Sequence, residues 1–162
     1  MLAKEMFFNK KIFTVILLLT ITPVSSEIAI KEKIILNLQK IDNLNFEFEQ
    51  TIGKKKERGN CIIQYPKKIY CAYNNIQKKI IVSNGNSLVI TNDKNQSYYI
   101  YRLKKTPLYK ILDKQYLIQK IKEIDERVIN DQYINFTIKD DKNTINIFFD
   151  KKTFNLIGWQ TE

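Results

Sequence analysis

Hydrophobic and polar positions change rhythm several times along the chain, and each rhythm predicts an element. In IKEKIILNLQKIDNL, residues 30–44, Ile30, Ile34, Leu38 and Ile41 recur at helical spacing, while Lys31, Lys33, Asn37 and Lys40 lie elsewhere on the wheel. That pattern predicts an amphipathic helix. The next stretch, NFEFEQTI at 45–52, alternates strictly, with Phe46, Phe48, Gln50 and Ile52 on one side and Glu47, Glu49 and Thr51 on the other. Period-two alternation predicts a strand with one wet face.

From there to Arg102 the punctuation is that of antiparallel hairpins: GKKKERG at 53–59, YPKK at 65–68, Asn84-Gly85 within IIVSNGNSLVIT, and NDKN at 92–95. Asn84-Gly85 predicts a two-residue type I′ turn, which needs positive φ at both positions. The pairing leaves the faces of the 79–91 hairpin open, because Ile80, Val82 and Val89 on one side rival Ile81, Leu88 and Ile90 on the other. LKKTPLYKIL, 103–112, predicts a short helix interrupting the sheet, with Thr106 as N-cap, Pro107 at the first helical position and Leu108, Ile111 and Leu112 on one face. Residues 113–131 fit neither rhythm cleanly. Alternation returns in YINFTIK (133–139), TINIFFD (144–150) and FNLIGWQT (154–161), separated by DDKN and KKT turns, which predicts a meander. The sum is an α+β chain with a continuous antiparallel sheet. Its aromatic side chains exceed what two short helices would cover on a flat layer.

The only two cysteines fall in this hairpin region. Placing Pro66 at the centre of its turn pairs Tyr65 with Lys67, Ile63 with Ile69 and Cys61 with Cys71. Directly opposed residues have Cα atoms about 4.5–5.5 Å apart, within reach of a disulfide. A bridge or two packed thiols both fit this spacing. Cys61, Ile63, Tyr65, Ile69, Cys71 and Tyr73 then share one face, drier than the Asn60, Ile62, Gln64, Lys68, Tyr70, Ala72 face, and should turn inward.

The amino end changes the setting. Lys4, Lys10 and Lys11 precede the apolar run Ile12–Val24, which is followed by Ser25 and Ser26. This is the layout of a secretory signal peptide cleaved after Ser26; a membrane anchor would need roughly 20 apolar residues. The mature part, 27–162, suits one domain with one core. Export favours an oxidised cysteine pair. The formal charge of +10 becomes +8 once Lys4, Lys10, Lys11 and Glu5 are removed. With lysines spread through nearly every segment, the charge points away from nucleic acid, which calls for a clustered basic face.

Catalytic chemistry is hard to assemble from these residues. Without histidine the commonest general base and the Ser-His and Cys-His nucleophiles are excluded. Two cysteines fall short of a four-ligand zinc set, so no metal is expected. Glu47 and Glu49 lie on a wet strand face, Asp93, Asp140 and Asp141 lie in turns that favour aspartate for backbone reasons, and no glycine-rich phosphate loop exists among four glycines. The reading is a binding protein with no cofactor.

Several short motifs, in order, carry a resemblance. An amphipathic helix is followed by F-x-F-x-Q (Phe46, Phe48, Gln50), a glycine before x-Y-P-K-K-I (Gly59 to Ile69), I-V-S-N-G-N-S-L (Ile81 to Leu88), K-T-P-L-Y-K-I-L (Lys105 to Leu112) and L-x-G-W-Q-T (Leu156 to Thr161). Each motif alone is weak; their order and spacing across most of the mature chain resemble the LolA family of periplasmic lipoprotein carriers. The resemblance implies a strongly curved antiparallel sheet, an incomplete barrel, with an N-terminal helix and a short lid helix over its open apolar side. It implies a cavity for the acyl chains of lipoproteins released by an inner-membrane ABC transporter and passed toward an outer-membrane acceptor, by a periplasmic protein expected to be monomeric. The expected lining is Phe46 and Phe48 from the first strand, then Ile63, Tyr65, Ile69 and Tyr73 from the cysteine hairpin. Leu108, Ile111 and Leu112 would be the lid's inner face, and Phe136, Ile138 and Ile147 would come from the meander.

A buried acyl chain of about 15 methylenes is worth roughly 12 kcal/mol at about 0.8 per CH₂, so an acylated protein needs an escort through water. Many family members carry arginine before the turn proline, where it helps latch the lid. Here Tyr65 stands there, and its phenol could donate to a lid carbonyl. Family chains also continue past the G-W-Q-T strand, which leaves open a chain cut short after Glu162. Two other classes remain. A structural or sensor module binding a partner at a sheet edge predicts a filled interior, and a lipid-modifying enzyme predicts turnover of a lipid ester.

Overall fold

The computed structural model describes residues 29–139 and 143–161. The expected signal peptide lies outside the described residues, as does most of the DDKN turn. The helical rhythm at 30–44 becomes α1, Ile30–Lys40, which buries Ile34, Ile35 and Leu38. It ends earlier than its apolar spacing suggests because Ile41 turns extended, at φ −90° and ψ 112°. Asn43 is already in a strand. Lys114 closes the helix end, its Nζ donating to the carbonyls of Gln39 (3.2 Å) and Ile41 (2.9 Å), where a cation suits the negative end of the helix dipole.

Six strands follow as consecutive hairpins: β1 (Asn43–Ile52), β2 (Lys55–Gln64), β3 (Lys68–Tyr73), β4 (Lys79–Asn84), β5 (Ser87–Asn92) and β6 (Ser97–Arg102). They form one antiparallel sheet in sequence order, β1 to β6. The 53–59 turn is shorter than expected, since Ile52 pairs with Lys55. Lys55, Glu57 and Arg58 are strand residues, held by cross-strand pairing that outweighs their loop-like composition. The Pro66 hairpin pairs as its symmetry requires, with Cys61 opposite Cys71 and Ile63 opposite Ile69.

The type I′ turn at Asn84-Gly85 does not form. Ser83 pairs with Leu88, which centres the turn one residue later, on Gly85-Asn86. Gly85 has φ 101° while neither asparagine is among the residues with positive φ, matching a turn with glycine first. The Asn84 side chain is used elsewhere, its Oδ1 accepting from the amides of Asn86 and Ser87, both at 3.0 Å.

Beyond β6 the chain makes a short 3-10 turn at Leu103–Lys105 and a one-turn helix α2, Leu108–Ile111. Thr106 is not an N-cap; its hydroxyl donates back to the Leu103 carbonyl at 2.8 Å, and α2 starts from Pro107. The ambiguous stretch resolves into α3, Lys114–Glu123, and a short strand β7, Arg127–Ile129. Asp113 caps α3, accepting from the Tyr116 amide at 3.1 Å, and Leu117, Ile118 and Ile121 form its buried stripe.

The meander forms as expected: β8 (Tyr133–Lys139), β9 (Thr144–Asp150) and β10 (Leu156–Thr161). It does not continue the first sheet. With β7 it makes a separate four-stranded antiparallel sheet, ordered β10-β9-β8-β7, so the single continuous sheet is replaced by two. The fold is α+β. The physical reason lies in α3: helices α1 and α3 cover the inner face of the second sheet, where Ile134, Phe136, Ile138, Ile145, Ile147 and Phe149 pack with Ile34, Leu38, Leu117 and Ile121. A second core cluster lies on the first sheet. Leu108 and Trp159 pack against both.

Candidate functional site

The register of the first sheet lays its inner side chains out in rows that cross the strands, because residues two apart on each strand share a face. One row runs Leu44, Ile63, Ile69, Ser83, Leu88, Tyr101; the next runs Phe46, Cys61, Cys71, Ile81, Ile90, Tyr99. The inward side of the 79–91 hairpin is therefore that of Ile81, Leu88 and Ile90. Except for Ser83 both rows are apolar or aromatic. Their exposure is graded. At the Pro66 end Ile63, Ile69 and Leu88 are buried beneath Leu103 and Leu112. Toward the opposite end and toward β6 the cover ends: Phe46, Phe48, Ile81 and Ile90 are partly buried, Tyr99 is 60% exposed and Tyr101 47% exposed.

Cys61 and Cys71 are joined in a disulfide at the centre of the second row, with Cα atoms 4.1 Å apart. The bridge fixes β2 to β3 where the floor passes from covered to open.

A polar border follows. The next row runs from Phe48 over Gly59 to Tyr73, with Lys79 and Asn92 on the strands beyond. The Phe48 ring lies on Gly59, where a Cβ would come within 2.8 Å of it and 2.2 Å of the Ala72 carbonyl. Phe48 meets Tyr73 edge to face, centroids 4.9 Å apart. The Tyr73 hydroxyl donates to Gln50 Oε1 at 2.6 Å, and the Lys79 ammonium stands 3.7 Å over its ring. Glu57, buried here, accepts from Lys79, from Lys55 (2.9 Å) and from the Asn75 amide (3.0 Å). Burial alone would push its carboxyl up, but these donors outweigh it and hold the pKa at about 2. Burial, helped by the Glu57 charge, pushes Tyr73 up to about 12.

At the Pro66 end a cation ties the turn to the covering segment. Lys67 donates its backbone amide to the Leu112 carbonyl at 2.8 Å. Its Nζ donates to the Tyr109 hydroxyl at 3.1 Å, pairs with Asp113 Oδ2 at 3.1 Å and lies 4.2 Å from the Tyr109 ring centroid. Asp113 thus caps α3 with one oxygen and holds Lys67 with the other. The Tyr109 and Asp113 partners raise the Lys67 pKa. Tyr65, two residues earlier, makes no such link: its hydroxyl is buried with no hydrogen-bond partner among the described residues, and burial pushes its pKa up to about 12. Tyr65, which could have donated to a carbonyl of segment 103–112, does not; the bonds to Tyr109, Leu112 and Asp113 come from Lys67, on the other side of the proline.

Of the residues expected to line a lipid site, Phe46, Phe48, Ile63, Tyr65, Ile69 and Tyr73 come together in the cluster on the first sheet, with Leu112 and Leu108 over them. Ile111, Phe136, Ile138 and Ile147 are placed in the other cluster, packed beneath α1 and α3. The sequence reading missed Lys67, Asp113, Leu103, Tyr99 and Tyr101. Asp113 had a visible signal, a capping residue before the stripe Leu117, Ile118, Ile121; the others depend on pairing partners far along the chain. Two depressions indent the surface elsewhere, one along α3 at Tyr116, Ile118 and Lys122, the other between Ser87, Arg102, Lys104 and Tyr109. Among the described residues no cluster of three or more carboxylates or cysteines is placed to hold a metal.

An apolar, partly open floor bordered by Glu57, Tyr73 and Lys79, which are engaged with one another, suits binding of an apolar molecule. Comparison with curated proteins gives no match. A family model described as Outer membrane lipoprotein carrier protein LolA matches residues 39–161, most of the chain and all of both sheets. The chain belongs to the LolA family.

Proposed function

We propose that this chain is a periplasmic carrier that shields the acyl chains of lipoproteins on the inner face of its six-stranded sheet. It takes them from an inner-membrane ABC transporter and passes them toward an outer-membrane acceptor. Residues 1–26 direct export and are removed after Ser26, leaving 27–162 as the carrier domain. The observation that supports this reading most is the gradient along the floor, from Ile63 and Ile69 under Leu103 and Leu112 to Tyr99 and Tyr101 in the open. A core built only for stability would be expected to close over this end of the floor, where exposed apolar surface forgoes roughly 25 cal/mol per Å² that burial would give.

Segment 103–112 acts as the lid. Its Leu103, Leu108 and Leu112 occupy the apolar surface that a ligand would cover, so lid and acyl chain compete and neither is held irreversibly. Displacing the lid opens the sheet as an incomplete barrel lined by the first-sheet residues named above.

Two measurements test the proposal. Purified protein should take up an apolar fluorescent probe and release it when a triacylated lipopeptide is added, while the unacylated peptide does nothing. It should also bring lipoproteins into solution from membrane vesicles containing the transporter. A protein that ignores the probe and leaves every lipoprotein on the vesicles is no carrier.

A further inference from the structure

The sixth strand carries exposed apolar groups on both of its faces. Tyr99 (60% exposed) and Tyr101 (47%) continue the floor, while Tyr98 (67%) and Ile100 (61%) point to the opposite side. Among the described residues β6 pairs only with β5, so it is also a free edge. Free apolar edges are normally blunted by charge, proline or cover, and here the strand's interior is Tyr-Tyr-Ile-Tyr.

Charge beside it is one-sided. Around the end of β6 stand Arg102, Lys104 and Lys105, with Lys78 and Lys94 nearer its start, against the single acid Asp93 between Ile76 and Leu112; Lys79 is already paired with Glu57. Arg102 ends β6 and Lys104 and Lys105 follow it, and among the described residues no carboxylate pairs with any of the three. Arg102 and Lys104 border a depression with Ser87 and Tyr109. Tyrosines beside unneutralised cations are the combination found where protein meets the headgroup layer of a bilayer: the rings sit at the water boundary and each cation gains from an anionic surface.

We propose that the β6 edge, with Arg102, Lys104 and Lys105, is a docking surface for a bilayer containing anionic lipids. Charge complementarity selects this occupant over a second copy of the chain, because two such edges would bring like-charged segments together. Docking by β6 turns the open, Tyr99 and Tyr101 end of the floor toward the membrane. The inference takes its purpose from the carrier reading, but membrane binding is measured without any lipoprotein.

The test is co-sedimentation of the purified protein with vesicles of phosphatidylcholine alone and of phosphatidylcholine mixed equally with phosphatidylglycerol. Binding is expected only to the mixed vesicles, and high salt should abolish it. The Arg102→Gln, Lys104→Gln, Lys105→Gln triple variant should bind roughly a hundredfold more weakly, at about fivefold per cation. Tyr98→Ser with Ile100→Ser, on the face away from the floor, should weaken binding while leaving probe uptake unchanged. Equal binding to both vesicles, or no loss in either variant, overturns the proposal. So does a dimer seen by sedimentation that the same substitutions dissociate. Failure here with intact probe uptake removes the docking surface and leaves the carrier; the converse removes the carrier and leaves the surface.

Discussion

Replacing Lys67 by methionine keeps the aliphatic stem and backbone of the Pro66 turn and removes the ammonium that grips the covering segment. The ion pair with Asp113, both side chains 26% exposed, is worth about 0.5 kcal/mol at that accessibility. The charge-assisted hydrogen bond to Tyr109 is worth about 1 kcal/mol, and the cation over the Tyr109 ring about 0.5 kcal/mol. About 2 kcal/mol of lid closure is lost, while the Lys67 amide still donates to the Leu112 carbonyl. If the lid competes with ligand for the same floor, opening it more easily raises apparent affinity for an apolar probe by up to roughly thirtyfold. Fluorescence titration of Lys67→Met against wild type and Lys68→Met, an exposed neighbour, measures this. Unchanged or weaker probe affinity in a folded Lys67→Met protein would refute the competition. The Lys67 pKa is raised on folding, so its contribution is complete below the ordinary lysine value of about 10.5 and is lost as pH rises through the folded value. Across neutral pH the latch should therefore be constant.

Other expectations follow from the same geometry. Cys61→Ser with Cys71→Ser, opening a short cross-linked loop, should lower unfolding free energy by about 3 kcal/mol in a denaturant titration; no loss would mean the reduced hairpin is already fixed by packing. Tyr65→Phe deletes a buried hydroxyl without a partner among the described residues and should be neutral or stabilising by up to about 1 kcal/mol, so a clear drop in melting temperature would point to a hidden hydrogen bond. Gly59→Ala puts a methyl 2.2 Å from the Ala72 carbonyl and should destabilise by about 2 kcal/mol or more, with loss of the Phe48–Tyr73 stacking visible in near-UV circular dichroism. Glu57 has a folded pKa depressed to about 2, so its stabilisation is present above the unfolded value of about 4.5 and fades as pH falls from there toward about 2. Glu57→Gln should flatten that part of the acid-unfolding curve, and an unaltered curve would contradict the assignment.

Much of this architecture was legible wherever local rhythm and local partners coincide. The hairpins at Pro66 and the 133–161 meander could be read because the residues that pair lie next to one another along the chain. The Cys61–Cys71 register needed only the symmetry of one turn. What could not be read depends on distant partners. The division into two sheets follows from α1 and α3 covering Phe136 and Ile147, and nothing within β8 or β9 distinguishes that cover from a cavity. Hence residues of identical pattern, Ile69 and Ile138, end in different clusters. The Asn84-Gly85 turn shifted by one residue because either register puts apolar side chains on each face, while Asn84 is used as a side-chain acceptor for the amides of Asn86 and Ser87 and Gly85 takes the positive φ as the first turn residue. Lys67 was hidden for another reason: a lysine among lysines carries no signal until Tyr109 and Asp113 come beside it.

The inner rows of the first sheet run across the strands, so a straight guest resting on them meets about one side chain from each hairpin arm in turn. No single stretch of polypeptide owns the surface, and no single replacement removes more than one rung of it. Such a ladder would grip a guest by its length and apolar surface more than by its chemical detail, as the proposed carriage of acyl chains requires.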